Sequence, residues 1–283
     1  MVLERYVYEA ESLYHADVDD VNFGTDGHKI MERINNWVTR STKGLIRSIL
    51  NAPPSADSAA VILNAIYFKG TWERQFRKQH NLQMNFFNHG QNGKATEFMT
   101  QTEKSFPYKE VRIGDEAVQA LEMPYEEDSI SMFVLLPRKR NGLQTILSSA
   151  GVDSQLSSAI RSLRHINHTE VNIFMPKFKF ETEYSLNSAL NAMGISNIFT
   201  RGADLSGING RRDLHVSQVK HKAIVRVDEV GTEAAAVTSI EIAPTSVRNP
   251  DEVTEFRADH PFLFIIMNKE TGIILFMGKV EEL

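Results

Sequence analysis

The run Gly231-Thr232-Glu233-Ala234-Ala235-Ala236-Val237-Thr238-Ser239-Ile240-Glu241-Ile242 carries the most specific pattern in this chain. Every second residue from Thr232 to Ile242 is uncharged, while the intervening positions include two glutamates and a serine. Successive side chains of a β-strand point to opposite faces, so this alternation is that of a strand. The run continues through two prolines as a segment of about twenty residues, which is long for a loop inside a compact domain unless the loop has a function. We expect it to be able to join a sheet as a further strand.

Two further strands are predicted earlier in the chain. His221, Ala223, Val225 and Val227 alternate along a strand that leads into the run. Residues 59–68 are nearly all apolar, which is typical of a strand covered on both faces, so Asn64 within them would be a buried polar group.

The remaining pattern predicts the fold class. Residues 117–123 and 130–136 form a predicted hairpin, and residues 262–267 and 273–280 form a second one around the turn 268–272. Short amphipathic helices lie between the predicted strands. The mixture predicts an α+β fold with large antiparallel sheets, and we expect residues 1–283 to form a single domain.

Composition disfavours several classes of protein. The 31 Lys and Arg residues nearly balance the 36 Asp and Glu residues, which gives a net charge of −5 and disfavours a nucleic-acid or anionic-membrane binder. Cysteine is absent, so the chain has no disulfide and no thiolate metal site. No apolar run approaches the roughly 20 residues that a membrane-spanning helix needs.

Signatures of catalysis are also missing. The chain contains no phosphate-binding G-x-x-x-x-G-K-S/T loop, no G-x-G-x-x-G, no H-E-x-x-H and no G-x-S-x-G. We therefore expect a protein that is not an enzyme and that uses no cofactor and no metal.

Five stretches, in order along the chain, resemble motifs of the serpin family of serine protease inhibitors. They are residues 64–72, 202–207, 228–236, 258–262 and 276–280. The resemblance extends over the whole chain, and it implies the serpin fold, with large mixed and antiparallel β-sheets, surrounding helices and a reactive-centre loop at about residues 229–252. It also implies that the opening quarter or so of a usual serpin, including one strand of the main sheet, does not precede Met1 here.

The resemblance assigns roles to particular residues. It implies that the sheet-opening region contains Asn64, Trp72 and His221. The hinge from which the loop would enter the sheet consists of Glu229, Gly231, Thr232, Glu233, Ala234, Ala235 and Ala236.

The mechanism implied is suicide inhibition. The serine of a target protease attacks the loop and forms an acyl-enzyme, and the cut loop then inserts as a new strand before the ester is hydrolysed. The alternative is a non-inhibitory or inactive truncated serpin, such as a carrier, a storage protein or a mere substrate. Small residues after Gly231 favour the inhibitor.

Counting along the loop predicts the bond that is cut. In the family, the residue before that bond lies about fourteen positions after the hinge glycine, a length set by the reach of the inserted strand. This position is Thr245, so the predicted bond is Thr245-Ser246, which suits an elastase-like protease with a shallow pocket. The alternative is Arg248-Asn249, which a trypsin-like protease would cut.

Two surface motifs complete the predictions. Arg138, Lys139 and Arg140 form a basic tripeptide that would make at most a weak contact with a polyanion, and a solvated turn is the favoured interpretation. Asn167 begins an N-glycosylation sequon, Asn167-His168-Thr169, which matters only for a secreted chain. The resemblance implies a secreted, extracellular monomer, although residues 1–11 lack the pattern of a signal peptide.

Overall fold

The computed structural model describes residues 1–127, 129–164, 166–231 and 253–283. The predicted hinge residues from Thr232 to Ala236 and both predicted cleavage bonds, Thr245-Ser246 and Arg248-Asn249, lie outside the described residues. In the described ranges, no helix is both long enough and apolar enough to cross a membrane.

The described residues contain α-helices and β-strands in an α+β arrangement, as predicted. The helices are α1 (Glu4–Tyr14), α2 (Phe23–Ser41), α3 (Gly142–Leu147), α4 (Val152–Arg161), α5 (Asn187–Ala192) and α6 (Ser206–Asn209), with short 3-10 helices at Lys78–His80 and Asn197–Phe199. The strands are β1 (Ala60–Tyr67), β2 (Leu82–Asn88), β3 (Asn92–Phe106), β4 (Tyr108–Ile113), β5 (Glu116–Pro124), β6 (Ile130–Pro137), β7 (Thr169–Pro176), β8 (Phe178–Ser185), β9 (Val216–Val227), β10 (Thr254–Arg257), β11 (Phe262–Asn268) and β12 (Ile274–Val280).

The chain divides into two compact units. The first consists of Met1–Phe68 and Phe180–Val225, and the second of Lys69–Lys179 and Arg226–Leu283. The single domain over residues 1–283 stays a prediction.

The first unit is built on a three-stranded sheet in the order β1-β9-β8. Strands β1 and β9 are parallel, and their register places Asn64 opposite His221. One face of the sheet is packed against α2 and the residues that follow it, with Val38, Ile46 and Ile49 fully buried next to Ile224.

The prediction that β1 is covered on both faces is wrong. Leu63 and Ala65 pack into the cluster under α2, whereas Ile62, which points to the other face, is 47% exposed, and Asn64 is exposed as well. Alternation of side chains across a strand explains the difference, because an apolar sequence allows burial of both faces but does not itself supply the elements that cover them.

The second unit contains two sheets. The four-stranded sheet has the order β10-β7-β3-β2, in which β10 and β7 are parallel and the other pairs antiparallel. The five-stranded sheet, β12-β11-β6-β5-β4, is antiparallel throughout and packs against α3 and α4.

Both predicted hairpins are confirmed in this second unit. Strand β5 pairs with β6, and β11 pairs with β12. The turn between β11 and β12 is stabilised by its first residue, because the side chain of Asn268 accepts hydrogen bonds from the amides of Glu270 and Thr271. Gly272 completes the turn with φ +73°, a value that glycine adopts without steric cost.

Candidate functional site

Residues 228–231 continue the chain beyond β9 and are bound along their backbone by residues 71–76. The amide of Trp72 donates to the carbonyl of Val230 at 2.8 Å, and the amide of Phe76 donates to the carbonyl of Glu229 at 2.8 Å. Thr71 and Gly231 form an antiparallel bridge. The first part of the predicted hinge is therefore fixed in position up to Gly231.

Gly231 is the position in this contact where glycine is required. Its φ is +122°, and a Cβ atom built on it would lie 2.0 Å from the carbonyl oxygen of Gly70. Any other residue would have to push the two backbones apart, which would break the bridge to Thr71. The close approach of the two backbones therefore requires glycine at position 231, and its role as a hinge stays a prediction.

Trp72 anchors the same segment through its side chain. The side chain is 2% exposed, and its ring stacks on Tyr125 with a centroid distance of 4.3 Å. Its indole N–H donates to the carbonyl of Asp228 at 2.9 Å. Within the second unit, the tryptophan therefore fixes the backbone at Asp228. Burial raises the pKa of Tyr125 well above its ordinary value.

Glu229 is held by two polar side chains, Asn81 and Lys177, which also bind Glu97; we call these four residues the Glu229 clasp. Lys177 Nζ lies 2.9 Å from Glu229 Oε1 and 3.2 Å from Glu97 Oε2. Asn81 Nδ2 donates to Oε1 of both glutamates, at 2.5 Å to Glu229 and 2.6 Å to Glu97. One ammonium and one carboxamide thus bind both carboxylates.

The clasp changes the protonation of its members. Partial burial opposes the charged form of Glu229, but hydrogen bonds from its own amide, from Lys177 and from Asn81 lower its pKa below the ordinary value. The hydrogen bond from Asn81 is the main cause that lowers the pKa of Glu97. Burial acts to lower the pKa of Lys177, and the two carboxylates overcome this effect and raise it.

Sequence reasoning found Glu229 but missed its two partners, Asn81 and Lys177. Lys177 is 52 residues away and Asn81 is 148 residues away along the chain. No local pattern marks them, because a lysine after Pro176 and an asparagine before β2 are ordinary surface residues in sequence terms.

Asn64 and His221 meet on the first unit's sheet, as their assignment to one region implies. Nδ1 of His221 lies 2.8 Å from Oδ1 of Asn64 across the β1-β9 pair. Burial lowers the pKa of His221 below its ordinary value. The neutral ring, donating from Nδ1, therefore matches the hydrogen bond that joins the two strands.

The surface motifs have separate surroundings. Arg138 pairs with Glu110, and Lys139 Nζ lies 3.5 Å from the buried carboxylate of Glu116, which is 1% exposed. Arg140 places its guanidinium 3.5 Å from the centroid of the Phe87 ring. The tripeptide is therefore three different contacts and not one free basic patch.

Asn167 is exposed in the short connection between α4 and β7, where its side chain is accessible. Its glycosylation stays a prediction.

We predict that the Glu229 clasp stabilises the fold at neutral pH. Side chains of Lys177 and Glu229 are only 27% and 11% exposed, so a double-mutant cycle with Lys177→Met and Glu229→Gln should give a coupling free energy of about 1–2 kcal/mol in urea unfolding. Because the pKa of Glu229 is lowered, this stabilisation is complete above the ordinary glutamate pKa of about 4.3 and is lost as the pH falls through the folded-state value.

The control for this cycle is the more exposed pair Lys279 and Glu281, whose side chains are 49% and 32% exposed. Its coupling should be smaller, because exposed ion pairs are screened by solvent. Equal coupling in the two pairs would show that Lys177 does not hold the hinge.

We predict that protonation of His221 weakens the β1-β9 pair. Since its folded-state pKa is lowered, stability is complete above the ordinary histidine pKa of about 6.5 and declines as the pH falls from there through the folded-state value. His221→Gln should remove this decline in thermal unfolding measured between about pH 7.5 and pH 5. His168→Gln, at an exposed position, is the control and should retain it; an unchanged decline in His221→Gln would contradict the assignment.

Comparison with known proteins identifies the family. The family model described as Serpin (serine protease inhibitor) matches residues 1–283. Iripin-2 from Ixodes ricinus is 39% identical over 287 residues, which cover 100% of this chain and 68% of that protein. Intracellular coagulation inhibitor 2 from Tachypleus tridentatus is 35% identical and is covered to 67%.

Solved structures agree with the sequence comparison. Uncleaved ovalbumin superposes with a TM-score of 0.81 at 31% identity, covering 100% of this chain and 70% of that protein. The resemblance seen in the five sequence motifs is thereby confirmed, together with the fold class. This chain belongs to the serpin family.

Proposed function

We propose that this protein inhibits a serine protease by suicide cleavage of residues 229–252, followed by insertion of the cut segment between β1 and β9. The observation that carries the proposal is the position of Gly231. The backbone up to this glycine is bound to residues 71–76, and the segment with the alternation of a strand begins directly after it. Membership of a family described as serine protease inhibitors supports it.

The strand pair that would receive the segment is suited to opening. Strands β1 and β9 are parallel neighbours, and one of their side-chain links is a single Asn64–His221 hydrogen bond on an exposed face. An inserted strand would replace the backbone hydrogen bonds of this pair by two new ladders. Because each such bond contributes about 1 kcal/mol net, the added ladder outweighs the loss of one side-chain bond.

In this mechanism, the protein contributes the segment that is cleaved, and the catalytic groups belong to the target protease. An elastase-like protease is the proposed target, with a trypsin-like protease as the second choice, and the proposal includes action as a secreted monomer that can be glycosylated at Asn167. A non-inhibitory role is the alternative outcome of the experiments below.

Incubation with an elastase-like protease should produce a complex that survives denaturation in SDS, because the acyl ester is trapped before hydrolysis. Mass spectrometry should find a released C-terminal fragment that begins at Ser246. Thr245→Arg should redirect inhibition to trypsin, whose specificity pocket contains an aspartate. Arg248→Gln is the matched control and should leave the elastase complex unchanged.

Two results would contradict this assignment. A fragment that begins at Asn249 would move the bond to Arg248-Asn249. Cleavage of the loop without any stable complex, with every protease tested, would make the protein a substrate and favour the non-inhibitory alternative.

A second experiment tests insertion itself. The alternation places Thr232 on the face that would be buried under the sheet, and burial of an unpaired charge there costs several kcal/mol. Insertion of the cut loop competes with hydrolysis of the acyl-enzyme. Raising the barrier to insertion by even about 1.4 kcal/mol therefore changes the ratio of trapped to released protease tenfold. Thr232→Arg should therefore be cleaved at the same bond but release active protease.

Glu233→Arg is the control, because its side chain points to the opposite, solvent-facing side of the inserted strand. It should trap protease nearly as well as the wild type. Cleaved wild type should also gain heat resistance, since the inserted segment becomes a paired strand, while cleaved Thr232→Arg should gain little. Equal trapping by Thr232→Arg and wild type would exclude insertion from this hinge.

A further inference from the structure

Strand β10 follows the segment that we propose is cleaved, residues 229–252. It is the four-residue strand Thr254–Arg257, and in the described part of the chain it pairs with β7 alone, at the edge of the four-stranded sheet. Backbone groups on the outer side of an edge strand need partners from elsewhere. The contacts that β10 makes beyond β7 therefore decide how firmly this end of the segment is held.

One such contact comes from Gln119 on β5, which belongs to the five-stranded sheet. Nε2 of Gln119 donates to the carbonyl oxygen of Glu255 at 2.9 Å. Val118 and Ala120, on either side of Gln119, pack in the cluster with α3 and α4. Because side chains alternate across a strand, Gln119 points to the opposite face of that sheet. A side chain from a different sheet thus binds the backbone of β10.

Gln119 is a buried polar residue whose position is fixed by a second hydrogen bond. It is 4% exposed, and its Nε2 also donates to the hydroxyl of Tyr108 at 3.0 Å. The Tyr108 hydroxyl in turn donates to Oε1 of Glu110 at 3.2 Å. Burial is the main cause that raises the pKa of Tyr108, so the hydroxyl keeps its proton at neutral pH and donates while it accepts. The two N–H groups of one carboxamide therefore have two acceptors.

The side chains of β10 hold its other end. Phe256 is fully buried, and the guanidinium of Arg257 lies 4.6 Å from the centroid of the Phe174 ring on β7. These contacts lie on the side of β10 that is farther from the segment along the chain. The hydrogen bond from Gln119 holds Glu255, which is nearer to the segment.

We propose that Gln119 is a positioning residue for inhibition, because it fixes the carboxyl-terminal end of residues 229–252 before a protease binds. The backbone contacts of Gly231 fix the other end. Fixing both ends of a segment reduces the number of its conformations, so less conformational entropy is lost when a protease binds it. This inference rests on the proposed function and adds to it a residue that acts only before cleavage.

The connectivity of the chain limits the step at which Gln119 acts. Both predicted bonds, Thr245-Ser246 and Arg248-Asn249, precede β10, so cleavage at either one separates β10 from the hinge. Gln119 therefore changes the rate of cleavage but not the later competition between insertion and hydrolysis of the acyl-enzyme. Thr232 acts on that competition, and substitutions at the two positions should have opposite kinetic effects.

Gln119→Met tests the proposal, since it keeps the length of the side chain and removes both hydrogen bonds. Amides of residues 254–257 should exchange with deuterium about tenfold faster, because β10 loses a buried hydrogen bond. The second-order rate constant for cleavage by an elastase-like protease should fall about threefold or more. The ratio of trapped to released protease should stay that of the wild type, whereas Thr232→Arg should lower this ratio and leave the rate of cleavage unchanged.

Gln155→Met is the matched control. Nε2 of Gln155 donates to the carbonyl oxygen of Ala150 at 2.7 Å, so the substitution removes the same kind of hydrogen bond. Gln155 lies on α4, which packs against the other face of the five-stranded sheet. Both the exchange of β10 and the rate of cleavage should equal those of the wild type. Urea unfolding checks that each variant is folded.

Tyr108→Phe is a milder variant that keeps the donor to Glu255 and removes the hydroxyl that orients it. It should change exchange and cleavage in the same direction as Gln119→Met, by a smaller factor. If Gln119→Met does not fold, wild-type exchange and cleavage in Tyr108→Phe would overturn the proposal.

Three results with folded Gln119→Met would also overturn it. They are wild-type exchange of β10, a wild-type rate of cleavage, and a fall in the ratio of trapped to released protease as large as that of Thr232→Arg. Cleavage of the wild type without any complex would instead contradict the proposed inhibition. The exchange and the rate of cleavage would still decide whether Gln119 positions the segment.

Discussion

The close approach of two backbones at Gly231 is the constraint on which the rest of the site depends. The glycine contacts Gly70 at a distance that excludes a Cβ atom, and this contact permits the bridge to Thr71. The bridge in turn sets the positions from which Val230 and Glu229 accept hydrogen bonds from residues 72 and 76. A larger residue at position 231 would displace all of these contacts together.

In the proposed mechanism, the side-chain contacts around the hinge hold it before cleavage and are released afterwards. Trp72 contributes buried area and one hydrogen bond to Asp228, while Lys177 and Asn81 hold Glu229 by polar contacts that are partly open to solvent. Half-buried ion pairs contribute less to the free energy of unfolding than the backbone hydrogen bonds of a complete added strand do. In the proposed mechanism, formation of that strand after cleavage is therefore the favourable step, and the hinge contacts delay it until the loop is cut.

Local patterns in the sequence were sufficient for the two hairpins and for the strands β1 and β9, because the period of a strand depends only on neighbouring residues. Motifs in order along the chain were sufficient for the family, whereas the role of Gly231 as a hinge stays a prediction. Tertiary structure alone decided which charged groups meet. Asn81, before β2, and Lys177, between β7 and β8, reach Glu229 only because the fold brings these distant segments of the chain together. It also decided that Asn64 is exposed, since burial depends on which element packs against a strand and not on the strand's own sequence.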